Sequence, residues 1–115
     1  MTTDSNKVTN LDYLIELSKG STQFVNEMIE IFLVESPLEI GLLEQGINEK
    51  NFDLIRSSSH KMRSTIPFVG IDKIIMTEMV KIERLAAIQS DLPQIEILFS
   101  KVKDVYQKAI EELKQ

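Results

Sequence analysis

The spacing of the apolar residues is the feature that most constrains the fold of this chain. Apolar side chains recur at steps of three and four residues along nearly all of its length, which is the period of an α-helix. No stretch of useful length alternates apolar and polar residues as a half-buried strand does, and the sequence contains no internal repeat. The sequence therefore predicts an all-α protein.

Capping residues and helix breakers divide this pattern into segments. Asn10, Ser21, Asn51 and Asp91 each stand where a side-chain oxygen can cap a helix that follows. Ser36-Pro37 either starts a new helix or bends one long helix that reaches about Asn48. The predicted helices cover 11–18, 22–48 (as one or two segments), 52–66, 71–88 and the stretch from 92 onward.

Amphipathic helices joined by short turns can hide their apolar stripes only against one another. The simplest arrangement is an antiparallel four-helix bundle of the up-down kind, with the short first helix covering one end or side. The chain has 115 residues, which suits a single domain. We assign that domain to residues 10–115 and predict that the polar residues 1–9 form a flexible N-terminus.

Composition excludes several classes of function. The chain has no Cys and a single His, so it lacks thiolate metal sites, disulfides and any two-His metal motif. A net charge of −5 disfavours non-specific nucleic-acid binding. No apolar run approaches the roughly 20 residues of a membrane-spanning helix, and the first residues lack a signal region. We expect a cytoplasmic monomer without cofactor, metal, nucleic acid or membrane contact.

The single histidine is predicted to face outward. On a helical wheel with about 100° per residue, the inward stripe of its helix consists of Phe52, Ile55, Ser59, Met62 and Ile66. His60 lies about 80° from Phe52, outside that stripe. His60 is therefore predicted to point outward, or at least to the edge of the bundle, and a solvated histidine without a function is the alternative at this point. Ser59 is expected to allow close packing with a neighbouring helix.

Charge near His60 differs from the rest of the chain. Residues 54–71 contain Arg56, Lys61 and Arg63 and no acid. Taken singly, each of these cations is explained as an ordinary charged residue on the solvent-facing side of a soluble helix. Arg63, one turn from His60, could also fork two donors onto a phosphoryl group, whereas Lys61 lies about 100° round the helix and needs a long reach.

Small residues also flank the histidine. Ser57 and Ser64 share its outer side, one turn before and one turn after. Serine is only a middling helix former, so the three consecutive serines at 57–59 need a reason other than helix stability. Small side chains there would let the backbone of another protein approach the imidazole closely.

The stretch Ser59-His60-Lys61-Met62-Arg63-Ser64, with Gly70 ten residues after the histidine, resembles the histidine-containing phosphotransfer (HPt) family. That family has a small residue, His, any residue, an apolar residue, Lys or Arg, and a small residue, usually Gly, with another Gly ten positions after the His. Ser64 replaces the usual Gly. The resemblance extends over most of the chain, because its first helices are laid out similarly.

The resemblance implies a function for the histidine. His60 would accept a phosphoryl group from an aspartyl phosphate on a response-regulator receiver domain and pass it to another receiver, without a nucleotide loop or metal of its own. A hybrid sensor histidine kinase is a further candidate partner. Apolar side chains of the second helix, with Phe68, would dock a receiver helix. The implied site residues are His60 as acceptor, Arg63 and Lys61 as phosphate-orienting cations, Ser59, Ser64 and Gly70 as motif positions, and Glu83 and Arg56 as outer neighbours.

Two other interpretations of the sequence compete with the phosphocarrier. A helical adaptor that binds receivers or partner helices without carrying phosphate would share the bundle and the apolar patch, with His60 incidental. Such an adaptor has no need for the His-x-x-Arg spacing or for Gly70, which favours the phosphocarrier. A stand-alone hydrolase would need a paired nucleophile or a metal cluster, and the sequence offers neither.

Overall fold

A computed structural model describes residues 7–114, and within that range the protein is helical throughout, without strands. It contains five α-helices and a 3₁₀ helix. They are α1 (Asp12–Ser18), α2 (Thr22–Asn48), α3 (Phe52–Thr65), the 3₁₀ helix (Ile66–Val69), α4 (Asp72–Ala87) and α5 (Leu92–Leu113).

Three of the predicted caps define helix starts as the sequence indicated. In each case a side-chain oxygen accepts a hydrogen bond from the backbone N–H three residues later and satisfies one free donor of the first turn. The pairs are Ser21 with Phe24, Asn51 with Leu54 and Asp91 with Gln94. Asn10 instead accepts from the N–H of Asp12 at 2.8 Å, so α1 begins one residue later than predicted.

α2 continues through Pro37 as a single helix, which decides between the two alternatives left open by the sequence. Pro37 is exposed, whereas its neighbour Ser36, about 100° round the helix, is buried. With 27 residues, α2 is almost twice as long as the 14-residue α3, so part of α2 extends beyond the helix it packs against.

The helices pack in a closed circuit: α2 contacts α3 and α5, and α4 also contacts α3 and α5. The short α1 packs against α2 and the 3₁₀ helix. The core between them is made of fully buried aliphatic and methionine side chains from every long helix. Its centre includes Leu43, Ile55, Met62, Ile75, Met79, Ile82, Ile95 and Val102.

The inner face of α5 includes two aromatic residues. The apolar spacing from Ile95 predicts an inward stripe that contains Leu98 and Leu113, but both are only half-buried, whereas Phe99 and Tyr106 are buried. Tyr106 stacks on Phe32 of α2, with ring centroids 6.0 Å apart. Burying large rings removes more apolar surface from water than burying leucines, so α5 turns its aromatic residues toward α2.

The N-terminal segment is attached to the last helix. The backbone N–H groups of Val8 and Thr9 donate to the Glu112 carboxylate at 2.8 and 3.0 Å, and the Thr9 hydroxyl donates to it at 2.6 Å. Of the N-terminus predicted to be flexible, residues 1–6 lie outside the described residues, whereas Val8 and Thr9 are held against α5.

Gly70 closes the 3₁₀ helix in a conformation that suits only glycine. Its φ is +80°, and a Cβ at this position would lie 2.4 Å from the carbonyl oxygen of Asn10. The N–H of Asn10 donates to the carbonyl of Val69 at 2.9 Å, which holds the N-terminal segment against this turn. Gly70 therefore has a structural reason to be glycine, independent of any chemistry at His60.

None of the helices in residues 7–114 combines the length and apolar character that crossing a membrane would require.

Candidate functional site

His60 lies on the outer surface of α3, and 72% of its side chain is exposed. The helical wheel predicted this position correctly. The preceding residue, Ser59, faces the opposite way and is fully buried, with its hydroxyl donating to the carbonyl of Ile55 at 2.8 Å. Because that serine is small and internally satisfied, α3 packs closely on its neighbours while it presents the imidazole to solvent.

Glu83 reaches the histidine from α4. Its Oε2 lies 2.8 Å from Nδ1 of His60, and its Oε1 accepts a hydrogen bond from a terminal guanidinium nitrogen of Arg63 at 2.5 Å. His60 and Arg63 are three residues apart on α3, so both project from the same face of that helix. One carboxylate therefore holds the histidine and the arginine at the same time.

The Glu83 contact determines which ring nitrogen of His60 is free. An ionised carboxylate can only accept hydrogen bonds, so Nδ1 must carry the proton in this pairing. In the neutral imidazole, Nε2 then holds the lone pair. The bond to Glu83 thus fixes the ring through Nδ1 and leaves Nε2 free to act as a nucleophile.

The electrostatics of Glu83 favour the ionised form. Partial burial raises the pKa of Glu83, but the hydrogen bonds from Arg63 and His60, with their charges, lower it by more. The net pKa lies below the ordinary value of 4.5. Glu83 is therefore a carboxylate at neutral pH, as the pairing with Nδ1–H requires.

Lys61 faces a different neighbour. It lines a groove together with Glu39 and Ser36 of α2, whereas Glu83 approaches α3 from α4. Burial raises the pKa of Glu39, the Lys61 charge lowers it in part, and Glu35 raises it again. The structure thus places Lys61 near Glu39 and not with His60 and Glu83. No contact among the described residues supports the predicted role of Lys61 as a phosphate-orienting cation.

The remaining predicted residues leave the imidazole accessible. Arg56 and Ser57 are exposed one turn before His60, and Ser64 is exposed one turn after it. The hydroxyl of Ser64 donates to the carbonyl of Lys61 at 2.7 Å, so it folds back on its own helix. Although Ser64 is larger than glycine, it therefore does not cover the ring.

An apolar surface lies beside this site on α2. Ile31, Val34, Leu38 and Leu42 are all exposed, with Leu38 at 61%, and they follow one another at helical spacing along the solvent side of the helix. Exposed apolar side chains scattered singly are common, whereas a row of four on one face is less usual and is typical of surfaces that bind other proteins.

A pocket opens between α2 and α3 at one edge of this surface. It encloses about 140 Å³ and is lined mainly by Met28, Phe32, Ser36, Thr65 and Phe68. The sequence does not indicate this pocket, and of its lining residues only Phe68 was predicted individually to belong to a docking surface. Ser36 and Thr65 lie 29 residues apart and carry no local signal that would bring them together.

In residues 7–114 no group of three or more His, Asp and Glu side chains is placed to hold a metal ion. Comparison of the chain with protein-family models, with curated proteins and with solved structures found no match.

Proposed function

We propose that this protein is a histidine phosphotransfer protein of the HPt kind. It accepts a phosphoryl group on Nε2 of His60 from an aspartyl phosphate of a receiver domain and passes it to another receiver. The observation that carries the proposal is the pairing of an exposed imidazole with the Glu83 carboxylate at Nδ1, 2.8 Å away. A surface histidine with no task has no need of a fixed tautomer.

The helix packing supports the proposal. Helices α2 to α5 each contact the next in the chain, and α5 returns to α2. Neighbours joined by connections this short run antiparallel, so we interpret the fold as an up-down four-helix bundle with α1 as an additional short helix. In such a bundle a single outward histidine can be approached from one side by a partner protein.

The transfer balances without any group from outside the two proteins. The Nε2 lone pair attacks phosphorus, the P–N bond forms, and the P–O bond to the aspartyl carboxylate breaks, releasing that carboxylate on the receiver. Nδ1 keeps its proton throughout. The ring consequently becomes positively charged, and no general base is needed to start the reaction.

Glu83 and Arg63 suit this step. The Glu83 carboxylate sits against the ring that gains positive charge, in a partly buried position where such an interaction is stronger than in water. Arg63 uses one terminal nitrogen on Glu83 and retains other donors, which can reach a phosphoryl group one helical turn away. We assign Arg63 a double role, positioning Glu83 and contacting the phosphoryl group.

The partner is expected to bind α2 as well as α3. The exposed row on α2 lies next to the helix that carries His60, so a receiver covering the histidine would also cover these apolar side chains. Between Lys19 and Lys50 the chain contains six Glu and no Lys or Arg. A docking face with cations around an apolar centre complements this helix.

The test is transfer from a receiver that carries a labelled aspartyl phosphate. The wild-type protein should gain acid-labile label, and His60→Gln should gain none while it keeps its helical circular dichroism. Equal labelling of both proteins, or no labelling from any member of a receiver panel, would overturn the proposal. Receivers that bind both proteins equally and leave no label would instead support the adaptor, the alternative favoured by the apolar row on α2.

A further inference from the structure

The pocket between α2 and α3 contains a buried hydroxyl that has nothing to bond. Ser36 is 1% exposed, and its Oγ has no hydrogen-bond partner among the described residues. Ser59, the other deeply buried serine, donates back to the carbonyl four residues earlier. Ser36 makes no such bond with Phe32. An unpaired buried hydroxyl costs stability. The unpaired Ser36 hydroxyl beside a pocket therefore points to a ligand that forms a hydrogen bond with it.

The pocket has the size and lining for one aromatic ring. A cavity of about 150 Å³ with apolar walls is known to hold benzene, and this pocket encloses about 140 Å³. Met28, Phe32 and Phe68 supply apolar walls, and Phe32 is already stacked on Tyr106 on the core side. A second ring placed against Phe32 and Phe68 would extend this aromatic packing.

The polar residues of the pocket favour a phenol ring over an unsubstituted phenyl ring. Ser36 and Glu39 both line the pocket, and the Ser36 hydroxyl has no hydrogen-bond partner among the described residues. The Glu39 carboxyl interacts electrostatically with Lys61, which also lines the pocket. A phenylalanine ring would leave Ser36 unpaired. A phenol can accept a hydrogen bond from Ser36 and donate one to Glu39, so both polar groups are satisfied.

We propose that this pocket binds the side chain of a tyrosine presented by the docked partner, with its hydroxyl bonded to Ser36. The proposal rests on the proposed function for the identity of the partner as a receiver. A protein fits better than a free phenol, because a small molecule would leave the exposed Ile31 at the pocket and the rest of the apolar row on α2 uncovered. Single buried tyrosines often dominate the energy of such interfaces.

The first experiment uses side-chain analogues and requires no phosphotransfer. The uniformly ¹⁵N-labelled protein is titrated with p-cresol, which matches tyrosine, and with toluene, which matches phenylalanine. We expect amide shifts centred on Ser36 and Thr65 and a preference for p-cresol of roughly three- to tenfold, the value of one neutral hydrogen bond. Ser36→Ala should abolish that preference, and Ser58→Ala, a buried serine outside this pocket, should keep it.

Three results of the titration would overturn the proposal: equal binding of the two analogues, shifts that map elsewhere, or an unchanged preference in Ser36→Ala. Because His60 takes no part, the His60→Gln protein should bind p-cresol like the wild type. Failure of phosphotransfer would therefore contradict the proposed function without affecting this result.

The second experiment tests whether a partner occupies the pocket. Saturating p-cresol should slow transfer from the phosphorylated receiver several-fold. It should not slow labelling by phosphoramidate, a small donor whose P–N bond breaks as the bond to His60 forms and ammonia leaves. Transfer that is unaffected by bound p-cresol would show that the docked partner leaves the pocket empty, which contradicts the proposal.

Discussion

The carboxylate of Glu83 lies 2.8 Å from Nδ1 of His60, although the two residues are 23 positions apart and belong to different helices. This bond fixes the ring orientation, the tautomer and the local charge at once. It requires α3 and α4 to pack in one register, since a shift of one residue in either helix would move the carboxylate about 100° around its axis. The packing of the core therefore sets the chemistry at the surface.

Glu83→Gln keeps an acceptor for His60 but removes the charge of Glu83 and, because the amide nitrogen cannot accept a hydrogen bond, also the bond from Arg63. The amide oxygen can still accept from Nδ1–H, but it cannot offset the positive charge that the ring gains. We expect transfer to His60 to slow by roughly tenfold or more, the range for losing a charge-assisted hydrogen bond. Rapid-quench transfer from a labelled receiver measures the rate. Glu83→Ala, which also frees the ring, should be slower still, and a Gln variant at the wild-type rate would contradict the role of the charge.

Arg63→Ala removes the group that holds the second oxygen of Glu83. We expect slower transfer with unchanged helical content, because Arg63 is only half-buried and does not belong to the apolar core. Arg63→Lys should recover only part of the rate, since a single ammonium cannot reproduce the fork that a guanidinium presents. Arg56→Ala is the matched control: it removes an exposed cation one turn before His60 that makes no contact with Glu83. An Arg63→Ala protein that unfolds would show that its role is structural.

The extent to which the sequence predicted this structure follows from the range of the interactions. Ser21, Asn51 and Asp91 act within four residues, and all three caps were readable. The outward position of His60 follows from the periodicity of one helix. By contrast, the burial of Tyr106 depends on Phe32, and the direction of Lys61 depends on Glu39; neither is encoded locally. Glu83 was named only through a family resemblance, because no rule of spacing connects α4 to α3.

Gly70 and Gly41 form a matched pair for stability. Gly70→Ala places a Cβ against the Asn10 backbone at a φ of +80°, so the N-terminal segment must shift. We expect a loss of about 2 kcal/mol or more. Gly41 lies mid-helix with nothing within 4 Å of a Cβ. Gly41→Ala should therefore stabilise the protein by about 0.5–1 kcal/mol. Urea unfolding measures both changes, and equal effects at the two sites would contradict the structure.

Glu112 makes the attachment of the N-terminal segment sensitive to acid. Its burial raises the pKa, but the hydrogen bonds from Thr9 and Val8 and the Lys7 charge lower it by more, so the net pKa lies below 4.5. A depressed pKa in the folded state contributes stability above the unfolded value, and that contribution is lost as pH falls through the folded value. Between about pH 5 and pH 3, the free energy of unfolding should therefore fall more steeply in the wild type than in Glu112→Gln. Denaturant unfolding curves at several pH values measure this difference. Equal losses of unfolding free energy in the wild type and in Glu112→Gln would contradict the prediction.

Glu39 is expected to behave in the opposite sense. Burial raises its pKa in the folded state, so its ionisation opposes folding, and stability is lost as pH rises from the unfolded value through the folded value. Glu39→Gln should therefore raise the melting temperature at pH 7 and have little effect at pH 4. Glu30→Gln, at an exposed position on the same helix, serves as the control. A Glu39→Gln protein that melts lower at pH 7 would show that the carboxylate is compensated by contacts the structure does not contain.

The bonds from Val8 and Thr9 to Glu112 bring the two ends of the described chain to the same place. Residues 8 and 112 are therefore neighbours, and the segment between them has the layout of a unit that can be inserted into a surface loop of a host protein without stretching either junction. By the same geometry, a short linker between the ends and a new break at Lys50, in the exposed turn between α2 and α3, yields a circular permutant that retains every helix.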